Sequence, residues 1–177
     1  MKFRIDHRFT GVTLERFVAT YFSEDFNNEV AKVTGLRTRT LVEQTIHDDG
    51  RRDRRVRMHP SVTIPGPIRK YATEDQIHYD EVAAYDPKTQ SVRFRIDSKA
   101  NDRVRFDGTI RFVEDGPGAV RRLIDSEVEI KAPFGLGAII EKFIEGEVQK
   151  GYAKVQPFLQ RYLDEHPNGP PPDPPRV

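Results

Sequence analysis

The chain begins with one strand pattern followed by two helical patterns. Residues 2–9 alternate apolar and polar side chains, which predicts a strand. Its apolar face carries Phe3, Ile5, His7 and Phe9. Apolar residues at helical spacing follow, with Thr13 as a candidate N-cap for one short helix and Ser23 for a second, which Gly35 would end. The start of the chain therefore predicts the order strand, helix, helix.

From Leu36 to Lys131 the apolar period is two, and this predicts six further strands. The clearest hairpin turns at Gly50, which suits the left-handed residue of a three-residue loop with a bulge. The predicted register pairs Ile46 with Arg52, Gln44 with Arg54, Val42 with Val56 and Thr40 with Met58. Because the apolar partners then share one face, the pattern indicates a sheet with one buried and one solvated side.

Four of the six strands follow a long connection that contains prolines and glycine. They are predicted over residues 76–85, 91–97, 104–112 and 120–131. In the last pair the predicted register sets Arg122 opposite Ile110, so the arginine would point toward the dry face.

The last long pattern is an amphipathic helix from Gly137 to Glu165, with Pro157 expected to kink or divide it. Its apolar stripe comprises Ile140, Phe143, Ile144, Val148, Tyr152, Val155, Leu159 and Tyr162. A sheet with one dry face needs a cover, and the two short helices are too small to provide it alone. We therefore expect the C-terminal helix to lie across the sheet.

This order of elements resembles the START-like (SRPBCC, Bet v 1-like) superfamily over residues 1–166. The segment 132–147 is similar to the Pro/Gly-rich approach to the closing helix in lipid-binding members, with Glu141 as the early glutamate of that helix. The resemblance implies an α+β helix-grip fold: a curved antiparallel sheet of about seven strands around a long C-terminal helix, with two short helices between strands 1 and 2. Residues 167–177 are proline-rich, and we expect them to form a disordered tail.

By resemblance, the space between sheet and helix is an apolar ligand cavity. Its predicted wall is formed by Val56, Met58, Ile77, Tyr79, Phe94, Phe106, Ile110, Ile124, Ile140, Phe143, Ile144 and Val148. The same pattern also fits a filled core in which these side chains pack on one another, and the sequence leaves both interpretations open.

Five polar residues are predicted to share the dry face with that wall, and burial without partners is costly for such groups. They are Gln44, Arg52, Arg54, Glu81 and Arg122. One interpretation is a headgroup anchor for a ligand. The other places Arg52 and Arg54 near the sheet rim, where they reach water, and turns Arg122 outward through a bulge.

The composition and the absence of known motifs exclude several kinds of functional site. The chain has 177 residues, a net charge of +1 and no cysteine, which excludes disulfides and thiolate sites. We find no catalytic, metal or cofactor motif and predict no cofactor, no metal and no nucleic-acid partner. The first residues predict no leader and no segment predicts a membrane span, so the expected location is the cytoplasm and the expected state a monomer.

The loop over residues 60–73 carries apolar residues that we expect to be exposed, Val62, Ile64 and Ile68, beside Arg69 and Lys70. It either touches a membrane surface transiently or folds back over the core.

Three functions fit these patterns. The first is binding of a lipid or other hydrophobic small molecule, in the form of a carrier. The second is a small cyclase, aromatase or dehydratase acting on an apolar polycyclic substrate. The third is an interaction domain whose proline-rich tail docks a partner.

Overall fold

The computed structural model describes residues 1–69, 77–98, 104–131 and 136–172. The strands are β1 (Lys2–Thr10), β2 (Leu36–Ile46), β3 (Arg52–Pro60), β4 (Tyr79–Asp86), β5 (Ser91–Ser98), β6 (Val104–Glu114) and β7 (Ala119–Ile130). The helices are α1 (Leu14–Phe22), α2 (Glu24–Thr34) and α3 (Gly137–Glu165), with a short 3₁₀ turn at Gly66–Ile68. The predicted strand start at Gln76, the turn over residues 99–102, the helix approach over 132–135 and the tail end over 173–177 lie outside the described residues.

The seven strands form one curved antiparallel sheet in the order β1-β7-β6-β5-β4-β3-β2. The two edge strands, β1 and β2, are consecutive strands in the chain, and the α1–α2 pair carries the chain from one edge to the other. The predicted helix-grip fold is therefore confirmed. No helix in the described part of the chain is long and apolar enough to cross a bilayer.

The two short helices are fixed by the predicted caps. The Thr13 hydroxyl accepts a hydrogen bond from the Arg16 amide at 3.3 Å, and the Ser23 hydroxyl accepts one from the Phe26 amide at 3.4 Å. Gly35 ends α2 with φ 78°, a left-handed conformation that glycine adopts without steric cost. These caps set the sharp change of direction between α1 and α2.

The β2–β3 hairpin follows the prediction near its turn and departs from it further on. Gln44 pairs with Arg54 and Ile46 with Arg52, but the pairings Val42–Val56 and Thr40–Met58 are wrong. A register shift between Leu41 and Glu43 sets Leu41 opposite Val56 and Arg39 opposite Met58. An extra residue in one strand reverses the faces beyond it, so Val42 is 46% exposed and Arg39 turns to the concave side.

The β6–β7 register also differs from the prediction. Ile110 pairs with Ile124, and Arg122 pairs with Phe112 instead of Ile110. The turn closes between Asp115 and Ala119, with left-handed Gly116 and Gly118 inside it, so it is centred one residue later than predicted and the pairing moves by two residues. A two-residue shift keeps every side chain on its face, so Arg122 still points inward. The alternative of a bulge that turns Arg122 outward is wrong, since Arg122 is only 4% exposed.

The core is concentrated at one end of the sheet. Phe9, Phe17 and Phe112 are fully buried there and pack with tilted rings, with centroids 5.0 Å apart for Phe9–Phe17 and 5.5 Å for Phe17–Phe112. The last turns of α3 join this core through Leu159 and Leu163. Pro157 does not divide α3, which runs unbroken to Glu165.

The loop after β3 folds back over the protein in its described part. Ile64, expected as an exposed apolar residue, is only 1% exposed, and Val62 faces the concave side of the sheet. Ile64 is therefore removed from the surface, whereas Val62 is only half-buried. Lys70 and residues 71–73 lie outside the described residues, and membrane contact stays a prediction.

Candidate functional site

A cavity of about 980 Å³ lies between the concave face of the sheet and the first half of α3. The two halves of this helix differ in packing. Leu159, Tyr162 and Leu163 in the second half are buried in the core, whereas the apolar residues of the first half are only partly buried and line the cavity. The volume is at the upper end of what is typical for small-molecule sites. The helix therefore spans this part of the sheet without filling the space below it.

The cavity lining on the β7 side begins at Arg122, near the start of the strand, continues at Ile124 and ends at Ile130 and Lys131. The eight residue steps from Arg122 to Ile130 correspond to roughly 27 Å of strand at ~3.4 Å per residue. Beyond Arg122 the space is filled by the aromatic core, with the Phe9 ring 5.8 Å from the guanidinium carbon. The arginine thus marks the closed end.

Most of the residues predicted for the site line this cavity, although their role in ligand binding stays a prediction. They are Arg54, Val56, Met58, Tyr79, Glu81, Phe94, Phe106, Ile110, Arg122, Ile124, Ile140, Phe143, Ile144 and Val148. Gln44 is not among the lining residues. Its strand contributes Leu36 and Arg39 to the wall, both before the bulge, so the wall ends before Gln44 is reached.

The closed end holds a buried Arg122–His7 pair. The Arg122 Nη2 donates to His7 Nδ1 at 2.7 Å, and the two side chains are neighbours because Arg122 and His7 are paired residues of β7 and β1. Burial lowers the pKa of His7 to about 4, and the adjacent guanidinium adds to that effect. His7 is therefore a neutral acceptor at neutral pH. The Arg122 Nε has no acceptor among the described residues.

A second basic group lies where β2 and β3 meet α2. Arg39 donates to both carboxylate oxygens of Glu24, at 2.7 and 3.1 Å, and the Arg54 Nη2 donates to one of them at 2.7 Å. Arg54 is 7% exposed, so the interpretation that it reaches water at the rim is wrong. Glu24 is the first residue of α2, where a carboxylate is also favoured by the helix dipole. This cluster ties the helix pair to the sheet.

The Glu81 carboxyl faces the middle of the cavity, and it forms no hydrogen bond or ion pair within the described residues. Burial raises its pKa, and the positive charges of Arg54 and Arg39 offset only part of that effect. Three tyrosines, Tyr21, Tyr79 and Tyr152, line the same space, and burial raises the pKa of each. They are neutral hydroxyls that present donors to whatever occupies the cavity.

Sequence reasoning missed several of these groups. His7 and Tyr152 lie on the predicted apolar faces of β1 and α3. A polar atom at the end of a side chain on an otherwise apolar face is the signal that could have identified them as site residues. Tyr21 follows the apolar spacing of α1 in the same way. Alternation within the strand predicted over residues 76–85 would put His78 on the face opposite Tyr79. Both residues line the cavity, because His78 precedes β4 and strand alternation does not apply to it.

Comparison with known proteins supports the fold. A sequence family described as "Protein of unknown function (DUF2505)" matches residues 4–163. No curated protein matches the chain.

Solved structures with a similar fold include an aromatase/cyclase, Zhui from Streptomyces sp. R1128, at 10% identity and a TM-score of 0.63 over 94% of this chain and 96% of that one. A START superfamily protein from Mycobacterium smegmatis is 16% identical, with a TM-score of 0.56 over 93% and 97%. Norcoclaurine synthase from Thalictrum flavum is 16% identical, with a TM-score of 0.54 over 94% and 88%. At these identities the likeness establishes the START-like fold alone.

Proposed function

The chain belongs to the DUF2505 family of proteins of unknown function, and we propose that it binds an elongated hydrophobic small molecule, such as a lipid, in the cavity under α3. The observation that carries this proposal is the unfilled space of about 980 Å³ between two apolar walls. Natural cores are packed closely, so an apolar space of this size is maintained at a cost in dispersion energy. A bound apolar molecule restores those contacts.

The walls supply enough affinity without any catalytic group. Phe94, Phe106 and Ile124 of the sheet face Phe143 and Ile144 of α3 across the cavity. Burying each methylene of a ligand against such walls contributes about 0.8 kcal/mol. A carrier that takes up a lipid and releases it elsewhere is the form of this function that requires only shape and apolarity.

The experiment begins with native mass spectrometry of protein purified from its own host, in which we expect a bound hydrophobic molecule. Binding of the neutral dye Nile red then tests the site. Ile144→Trp places a large ring in the cavity and is expected to weaken dye binding about tenfold, a loss of ~1.4 kcal/mol. Lys142→Trp, on the exposed side of the same helix, is the matched control and should leave binding unchanged.

An empty protein that does not bind the dye would refute the proposal. Equal loss of binding in both tryptophan variants would show that the dye binds elsewhere, and this also contradicts it.

A second candidate is favoured by Glu81. A carboxyl with a raised pKa that faces an apolar cavity, and that forms no hydrogen bond or ion pair with the described residues, is suited to act as a general acid or base. The fold is shared with Zhui, an aromatase/cyclase, and an enzyme of the cyclase, aromatase or dehydratase type would use Glu81 with a tyrosine hydroxyl on a polycyclic substrate. Glu81→Gln keeps the size of the side chain. It should leave ligand binding intact in a carrier and abolish turnover in an enzyme.

A further inference from the structure

The residues that the structure describes do not neutralise the positive charge of Arg122. Its single hydrogen bond is donated to the uncharged imidazole of His7, and no ion pair joins it to a carboxylate within the described residues. Arg122 is 4% exposed, and that remaining surface belongs to the cavity wall. Isolating a charge from water without a counter-charge costs several kcal/mol. Such a group is retained where an anionic partner joins it.

The other arginines of the cavity provide an internal comparison. Arg39 and Arg54 share the carboxylate of Glu24 through three hydrogen bonds of 2.7–3.1 Å. Their charge is therefore largely balanced by the fold. Arg122 lies on the same concave face and is buried to a similar degree as Arg54, but no carboxylate in the described part of the chain pairs with it. The imbalance is specific to the closed end of the cavity.

The Arg122 side chain is also held in place before any ligand arrives. His7 accepts from Nη2 at 2.7 Å, and its ring is packed edge-on against Phe9 and Tyr152, with centroids 6.3 Å away in each case. The guanidinium therefore pays little conformational entropy when it binds a ligand. Tyr21 and Tyr152 line the same end, and their neutral hydroxyls have no acceptor among the described residues.

We propose that Arg122 anchors the oxyanion head of the cavity ligand, a carboxylate or phosphate at the end of an elongated apolar chain. The head lies at the closed end, against Arg122 and the hydroxyls of Tyr21 and Tyr152. The chain extends along β7 toward Ile130 between the apolar walls. This inference rests on the proposed function and adds the charge and orientation of the ligand to it.

The test compares four ligands that share one chain: dodecanoate, dodecyl phosphate, dodecanol and dodecylammonium. Each displaces Nile red from the wild-type protein at neutral pH. A charge-assisted hydrogen bond in a buried site predicts that an oxyanion binds about tenfold or more tightly than the alcohol, and the ammonium ion more weakly than either. The better of the two oxyanions identifies the head. Arg122→Met removes the charge at similar length and should abolish the preference while keeping the affinity for the alcohol.

The exposed Arg93→Met, on the convex face, is the matched control and should retain the wild-type preference. Equal binding of oxyanion and alcohol by the wild-type protein would overturn the inference and leave the proposed function standing. A preference that survives Arg122→Met would also overturn it. Failure of Nile red and all four ligands to bind would refute the proposed function itself. Because the ligand series is first measured on the wild-type protein, the test does not depend on folding of the variant.

Discussion

Gly108 allows β6 to pass closely between β5 and β7, and replacing it by alanine should destabilise the fold. It is paired with Phe94 on one side and Ser126 on the other. A Cβ atom at this position would lie 2.6 Å from the backbone oxygen of Asp125, 2.7 Å from the Ser126 Cβ and 2.8 Å from the Phe94 Cζ. All three distances are shorter than van der Waals contact. The nearest atom is backbone, so relief requires β7 itself to move.

Overpacking of this kind costs about 1–3 kcal/mol. Removing glycine recovers roughly 0.5–1 kcal/mol of chain entropy. Taking one from the other, we expect Gly108→Ala to lower the free energy of unfolding by about 1 kcal/mol. For a domain of this size the midpoint of thermal unfolding would fall by about 2–4 °C.

Gly146→Ala is the matched control, because it is the same chemical change at a site where a Cβ meets nothing within 4 Å. It lies inside α3, where alanine is preferred over glycine, so this variant should be stabilised by about 0.5–1 kcal/mol. Urea unfolding followed by circular dichroism measures both changes. A Gly108→Ala protein as stable as the wild type, or equal shifts of the same sign in both variants, would refute the packing argument.

Three further outcomes follow from the buried polar groups. The pKa of His7 lies below its unfolded value, so stability is unaffected above pH 6.5 and falls as the pH drops from 6.5 to about 4. Because solvent screens part of the effect, the total loss should be about 2 kcal/mol. His7→Asn, which keeps an acceptor for Arg122, should lose this part of the dependence when unfolding is measured as a function of pH. Glu24→Gln should lower the free energy of unfolding by about 3 kcal/mol, because two buried guanidinium groups lose their shared counter-charge, and high salt should not mask the effect. Tyr162→Phe removes the 2.6 Å hydrogen bond donated to Asp25 and should cost about 1.5 kcal/mol in urea unfolding, with no change in ligand binding since Tyr162 lies in the core.

The period of the apolar residues was sufficient to predict the architecture. Alternation from Leu36 to Lys131 gave six strands with one dry face, and the stripe of α3 supplied the cover. The pattern predicted the strands correctly, but it did not always predict which side chains of a strand face inward. Each bulge changes which residues of its strand face inward, and no residue between Leu41 and Glu43 indicates that a bulge occurs there. The sequence therefore placed Val42 inside and left Arg39 outside, the reverse of the structure.

The spacing of the apolar residues could not distinguish a cavity from a filled core, because both arrangements bury the same residues. The difference depends on how closely each half of α3 packs against the rest of the fold. Its second half is fixed by Leu159 and Leu163 in the aromatic core, whereas Phe143 and Val148 in its first half remain partly exposed to the space below. Helical spacing is the same in both halves. The packing of the second half of α3 against the core, together with the curvature of the sheet, determines the distance between its first half and the sheet.

The two inward arginines show what kind of information separates a structural charge from a functional one. Strand parity predicted that Arg54 and Arg122 both face the dry side, and the structure buries both. Arg54 meets a carboxylate that arrives from α2, an element thirty residues away in the chain, whereas Arg122 meets the neutral His7 of β1. Both partners come from elements distant in sequence, so no local pattern reveals which charge is balanced. A guanidinium bound to a carboxylate has its counter-charge within the fold; one bound to an imidazole is oriented by the fold but still lacks a counter-charge. The site that an anionic ligand would complete is therefore defined by the partner of Arg122 and not by the arginine alone.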